Sequence, residues 1–182
     1  MKRKGDVFSV NSKGQVWIET VIYTLIAFVM IGLVLGFARP KIEELQDKAI
    51  IDKTVAMMKD IDAMILDIGV PGNQRVMELG IRKGIFKIDT DQDVLVFEIE
   101  SKHVYSEIDQ EVVDGNLKIE TTKTGSANLV TLTRDYSGSY DLQYEEADLS
   151  TPEELGRSSI AYQLLIVNKG GTGTTVIDFS LV

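Results

Sequence analysis

The hydrophobic pattern of the chain changes character twice. From Val16 to Ala38 the sequence VWIETVIYTLIAFVMIGLVLGFA is apolar on every helical face, with one charge, Glu19, and two hydroxyl residues, Thr20 and Thr24. At a rise of ~1.5 Å per residue it predicts a helix of roughly 35 Å, enough to cross a hydrocarbon core of ~30 Å. A helix that is apolar all round has little place in a soluble fold of this size, so the segment reads as membrane-inserted. Arg39-Pro40 follows. Proline lacks a backbone donor and clashes with the preceding turn, which predicts a kink or short break. From Lys41 a helical period resumes: Ile51, Val55, Met58, Ile61, Ile65 and Ile68 form one apolar stripe, ended by Gly69, Pro71 and Gly72. The stripe is expected to pack on the chain's own globular part.

From about Asn73 the period becomes two. Leu95, Phe97 and Ile99 share one face; Tyr140, Leu142 and Tyr144 alternate with Asp141, Gln143 and Glu145; Ile160, Tyr162, Leu164 and Ile166 form another inward set; Ile177, Phe179 and Leu181 close the chain. Turn signals separate such runs at Asp114-Gly115-Asn116, Thr124-Gly125-Ser126, Ser137-Gly138-Ser139 and Gly170-Gly171-Thr172-Gly173. About eight short strands in this region suggest a small antiparallel β-sandwich, Ig-like in kind. The fold class expected is therefore α+β, with a long N-terminal transmembrane or filament-core helix ahead of the sandwich. The divisions are residues 1–14, 15–38, 39–72 and 73–182.

Composition narrows the chemistry. The 182 residues carry 19 Lys/Arg against 28 Asp/Glu, a net charge of −9, so no phosphate-neutralising surplus exists and nucleic acid is not an expected partner. There is no cysteine and one histidine, which removes disulfides, thiolate metal sites and cysteine nucleophiles, and leaves His103 alone for any imidazole chemistry. The charge is unevenly placed. Residues 1–14, MKRKGDVFSVNSKG, hold Lys2, Arg3, Lys4 and Lys13 against Asp6, a local +3. Beyond the apolar run, Arg39, Lys41 and Lys48 are interleaved with Glu43, Glu44 and Asp47. Counting bases favours the N-terminus inside and the C-terminal bulk outside. Gly36 and Ala38 offer a small-x-small site before Arg39, but the apolar run is longer than the roughly 7–15 residues of a secretory signal.

The residues Ser12-Lys13-Gly14-Gln15-Val16-Trp17-Ile18-Glu19 decide between the fates of such a segment. Together they resemble the processing site of archaeal type IV pilin-like precursors, the class III (prepilin) signal peptide. The resemblance rests on the basic leader, Lys13-Gly14 at its end, Gln15 with Glu19 four residues on, and the unbroken apolar run behind. It covers about the first third of the chain. It implies cleavage after Gly14 by a prepilin peptidase, with Gln15 as the first mature residue and Glu19 the fifth. It also implies filament assembly driven by a cytoplasmic ATPase and a membrane platform protein. The precursor would be a single-pass membrane protein with a cytoplasmic N-terminus, and the product a cell-surface filament.

Glu19 has a physical reading of its own. A carboxylate at the bilayer centre costs roughly 2.5–3.5 kcal/mol on insertion scales, and less near the end of the span. Two uses are open: snorkelling to the interface, or neutralising the α-amine that cleavage creates on Gln15 of a neighbouring subunit. The second would set the register of an assembly and needs the cut to occur.

The β region offers no coherent catalytic constellation, and the chain is not expected to be an enzyme or to need a cofactor. Asp89, Asp91, Asp93 and Glu100 occupy positions 1, 3, 5 and 12 of an EF-hand-like spacing, which makes them a calcium candidate. The sixth position is Val94, where the sharp turn requires Gly, and the flanks read as strands, which favours a solvated hairpin turn. Gly170-Gly171-Thr172-Gly173-Thr174 lacks the P-loop lysine and reads as a hairpin tip; His103 reads as a surface residue; Glu145, Glu146 and Asp148 read as chance clustering. At least two of Tyr136, Tyr140 and Tyr144 fall on the core side. Taken together, the sequence favours a structural subunit of a type IV pilus-like archaeal surface filament. The alternative is a single-pass membrane-anchored extracellular β domain that binds a ligand without polymerising.

Overall fold

The computed structural model describes residues 12–182, with side chains from Val16 onward. One helix, α1 (Ser12–Leu66), precedes ten strands: β1 (Gln74–Leu79), β2 (Ile85–Asp89), β3 (Val94–Ser101), β4 (Glu111–Asp114), β5 (Leu117–Thr124), β6 (Ala127–Asp135), β7 (Tyr140–Tyr144), β8 (Glu153–Leu155), β9 (Tyr162–Gly170) and β10 (Thr175–Leu181). The strands form a six-stranded sheet in the order β4-β5-β6-β3-β2-β8 and a four-stranded sheet in the order β1-β9-β10-β7. The fold is α+β with two antiparallel-rich sheets in a sandwich-like arrangement. The chain divides into two compact units between Ile42 and Glu43.

Two sequence expectations need correction. Pro40 lies inside α1, so of the kink or short break expected there the break does not occur. A proline forfeits one backbone hydrogen bond, and the many remaining bonds of a 55-residue helix outweigh that loss. The sheets are also not wholly antiparallel, because β10 runs parallel to β7, with Thr175 opposite Tyr140 and Phe179 opposite Tyr144. A parallel neighbour requires a crossover rather than a hairpin, and the chain makes it through β8 and β9.

The core of the second unit is one cluster shared by helix and sheets. Ile51, Met58, Ile61, Ile65 and Ile68 are all buried, as the stripe requires. They are in the same cluster as Leu95, Phe97 and Ile99 of β3, Val130 and Leu132 of β6, and Ile177 and Phe179 of β10. Strand β3 shows the strict alternation of a sheet with one packed face. Ile160, counted as inward by alternation, precedes β9 and is exposed. Three residues past the end of α1, Gly69 takes a left-handed conformation (φ 74°) that turns the chain away from the helix. Its end is stitched to β9 by Asn168: its Nδ2 donates to the Gly69 carbonyl at 2.7 Å, and its backbone N–H to the Asn73 carbonyl at 2.9 Å. The Gly72 N–H donates to the Asn168 carbonyl at 2.7 Å.

The turn signals fall between strands as expected. Gly115 and Gly125 carry positive φ in the β4–β5 and β5–β6 turns. At Gly171, between β9 and β10, an added Cβ would collide with the Thr174 carbonyl, which accounts for the glycine at this hairpin tip.

Candidate functional site

The apolar half of α1 is the most unusual surface of the molecule. Every residue from Val16 to Phe37 is exposed, including Trp17 at 70%, Phe28 at 72% and Phe37 at 82%. It is the one helix among the described residues that is long and apolar enough to cross a membrane, and none of its most apolar window is buried. In water such a surface would be a large unfavourable exposure; in lipid it is the ordinary condition of a spanning helix.

Its few polar groups are arranged for that setting. Thr20 Oγ1 donates to the Val16 carbonyl at 2.9 Å, and Thr24 Oγ1 donates to the carbonyls of Thr20 and, at 3.3 Å, Val21. Bonding back to the preceding turn satisfies each hydroxyl within the helix, so neither asks for water. Trp17 lies near the start of the run, the position at which amphipathic aromatic rings favour a membrane–water interface. Glu19, one residue before Thr20, is exposed. Of the residues expected for processing, Lys13, Gly14 and Gln15 fall in the first turn of α1, and their side chains lie outside the described residues; so do residues 1–11 of the expected leader.

The β unit places the remaining candidates. Asp89, Asp91 and Asp93 sit at the β2–β3 hairpin, but Glu100 lies six residues further along β3, opposite Leu129 of β6. At ~3.3 Å per residue that is roughly 20 Å from Val94, so the four are not brought together. In an EF-hand the intervening residues loop back; here they are extended in a sheet. The aspartates instead make turn contacts. Asp89 Oδ1 accepts from the Gln92 N–H at 3.1 Å, and Asp93, at φ 56°, accepts from the Leu142 N–H at 2.7 Å through Oδ1. Among the described residues no group of three or more His, Asp or Glu side chains is placed to hold a metal ion.

His103 is not the plain surface histidine expected. Its side chain is only 22% exposed and Nδ1 lies 3.6 Å from Glu44 Oε1 of α1, a partner 59 residues away that no spacing reveals. Tyr136 and Tyr144 are buried and Tyr140 half-buried, with the Tyr136 and Tyr140 rings edge-to-face at 6.0 Å. Glu145 and Glu146 both have positive φ and form a tight turn closed by Tyr144 and Ala147. Glu146 pairs with Lys169 at 2.6 Å, which holds its carboxyl below the usual range.

Two buried acids on α1 escape a reading by periodicity, since each flanks the apolar stripe. Asp62 Oδ1 accepts from Arg134 Nε at 2.5 Å and from Tyr136 Oη at 3.1 Å, while Oδ2 accepts from Asn116 Nδ2 at 2.9 Å. The Arg134 guanidinium also lies 4.3 Å from the centre of the Tyr136 ring. Burial, reinforced by Asp62, pushes the Tyr136 hydroxyl far above its ordinary value, so it stays protonated and keeps the proton it donates to Asp62. Asp47 accepts from Lys83 Nζ at 2.5 Å through Oδ1 and from the Lys102 N–H at 2.7 Å through Oδ2. Beside Asp47 a groove of about 630 Å³ opens between α1, the end of β3, the β1–β2 connection and Arg157.

No protein-family model, no curated protein and no solved structure matches this chain.

Proposed function

We propose that this protein is a structural subunit of a type IV pilus-like archaeal surface filament. The observation that carries the reading is the wholly exposed apolar surface from Val16 to Phe37, in a helix whose later turns are built into a β domain. A surface of that kind needs lipid or other apolar helices around it, and a pilin-like subunit uses both in turn. The precursor is inserted through residues 16–38 and cut after Gly14 by a prepilin peptidase. The helix then leaves lipid for a core of like helices, driven by an assembly ATPase and a platform protein. Glu19 of one subunit neutralises the Gln15 amine of another, so that each charge enters the core only as part of a pair. The acidic β domain lies on the filament exterior.

The resemblance of residues 12–19 to a class III signal peptide supports the cut, and the satisfied hydroxyls of Thr20 and Thr24 support residence in an apolar medium. Glu19→Gln tests the role of the carboxylate. The variant is expected to be inserted and cut like the parent, and to yield no filaments by electron microscopy of the cell surface. Filaments of normal number in Glu19→Gln would overturn the pairing.

The division between Ile42 and Glu43 favours a second reading, a single-pass anchored β domain that never polymerises. That protein would keep residues 1–14 and tolerate Glu19→Gln.

A further inference from the structure

The groove beside Asp47 has a charge character unlike the rest of its unit. Residues 43–182 contain 13 Lys/Arg against 26 Asp/Glu, yet the groove is lined by Arg82, Lys83, Lys102 and Arg157 against Glu43, Asp47 and Glu100. Two of the four cations are engaged: Lys83 with Asp47 at 2.5 Å, and Lys102 with Glu43. Arg82 and Arg157 are exposed and make no ion pair among the described residues. The two chain segments that carry them are joined by the Ser158 N–H donating to the Ile81 carbonyl at 3.2 Å. The arginines therefore form one short cationic rim over a groove whose net charge is +1.

From this we infer that the groove binds the phosphodiester headgroup of an anionic phospholipid at the membrane surface. The inference rests on the membrane insertion of α1 proposed above. A planar guanidinium matches two phosphate oxygens at once, and a single surplus positive charge suits a phosphodiester, which carries one negative charge, better than a polyanion. One lining residue, Glu43, is tied to the apolar run by a short stretch of chain. Glu43 follows Ala38, the last residue of the apolar run, by five residues, a stretch that no backbone extends beyond about 18 Å. Arg39 and Lys41 fall within that stretch. An otherwise acidic domain is repelled by an anionic leaflet, so a cation-rimmed groove is where it meets that surface favourably. The effect is to hold the β domain down on the membrane until assembly lifts the helix out.

The test uses the full chain in lipid nanodiscs of phosphatidylcholine, with or without phosphatidylglycerol, read by amide hydrogen exchange at residues 80–84 and 156–159. Exchange there is expected to slow on the order of fivefold when phosphatidylglycerol is present. The slowing should vanish in the Arg82→Gln/Arg157→Gln double variant and persist in Lys118→Gln/Lys169→Gln, which removes equal charge at positions that do not line the groove. Equal exchange in the two lipids overturns the proposal, as does equal loss in both double variants. So does the same slowing produced by free glycerophosphoglycerol, the soluble phosphodiester headgroup, in pure phosphatidylcholine discs, which would mark a site for a soluble anion. Failure of the chain to enter the discs at all would sink the membrane reading and this inference together, whereas entry with unchanged exchange sinks this inference alone.

Discussion

Asp141 and Asp135, six residues apart, show how neighbours set opposite fates for one side-chain type. Asp135 Oδ1 accepts from the Ser137 N–H at 2.9 Å and from Ser137 Oγ at 2.6 Å, and these bonds hold its carboxyl below the ordinary range. Asp141 is pushed up instead, first by burial and then by the negative charges of Asp148 and Asp93. A raised carboxyl binds its proton more tightly in the folded chain than in the unfolded one. The folded state therefore loses stability as pH rises past the ordinary value of 3.8, and the penalty is complete above the folded value. Asp141→Asn removes the charge. It is expected to raise the thermal unfolding midpoint of the detergent-solubilised chain at neutral pH, with the difference closing as pH falls below 3.8. A gain that is constant across that range would mean the effect is steric. The influence of Asp93 was not legible in sequence, because it lies 48 residues from Asp141 and only the fold makes them neighbours.

At the scale of elements, the later turns of α1 are fixed to the β unit by an apolar stripe and by ion pairs, of which the clamp at Asp62 is the most buried. The stripe was legible, since spacings of three and four put all six residues on one face and burial follows from that. The alternation of β3, β7 and β10 was legible for the same reason, with period two in place of 3.6. The parallel pairing of β7 with β10 was not, because alternation reports which face is buried and is silent on strand direction. Nor was the clamp at Asp62, whose partners Asn116, Arg134 and Tyr136 lie 54, 72 and 74 residues away. With the Arg134 and Asp62 side chains 15% and 11% exposed, the pair is close to buried. Asp62→Ala leaves Arg134 without its acid and two further donors without an acceptor, which is expected to cost about 3 kcal/mol in chemical denaturation. A loss well below ~1 kcal/mol would show that water replaces the carboxylate freely.

For the whole molecule, the central question is how an exposed apolar helix and a self-contained β unit work in one chain. The unevenness of the sequence already posed it: a basic N-terminal stretch, an uncharged span but for Glu19, and a strongly acidic remainder. The processing residues Lys13, Gly14 and Gln15 carried the only specific motif, and they did so by register with Glu19. The groove with Arg82 and Arg157 had no such signal, because its lining comes from separate segments spread from Glu43 to Arg157 that only the fold brings together. If Glu19 serves a polymer, the amine it neutralises must first be made, so the polymerisation account stands or falls on one bond, Gly14–Gln15. Intact mass with N-terminal sequencing of the protein recovered from its native envelope reads that bond directly. The account predicts a chain beginning at Gln15; a chain beginning at Met1, or one cut before Arg39, would contradict it.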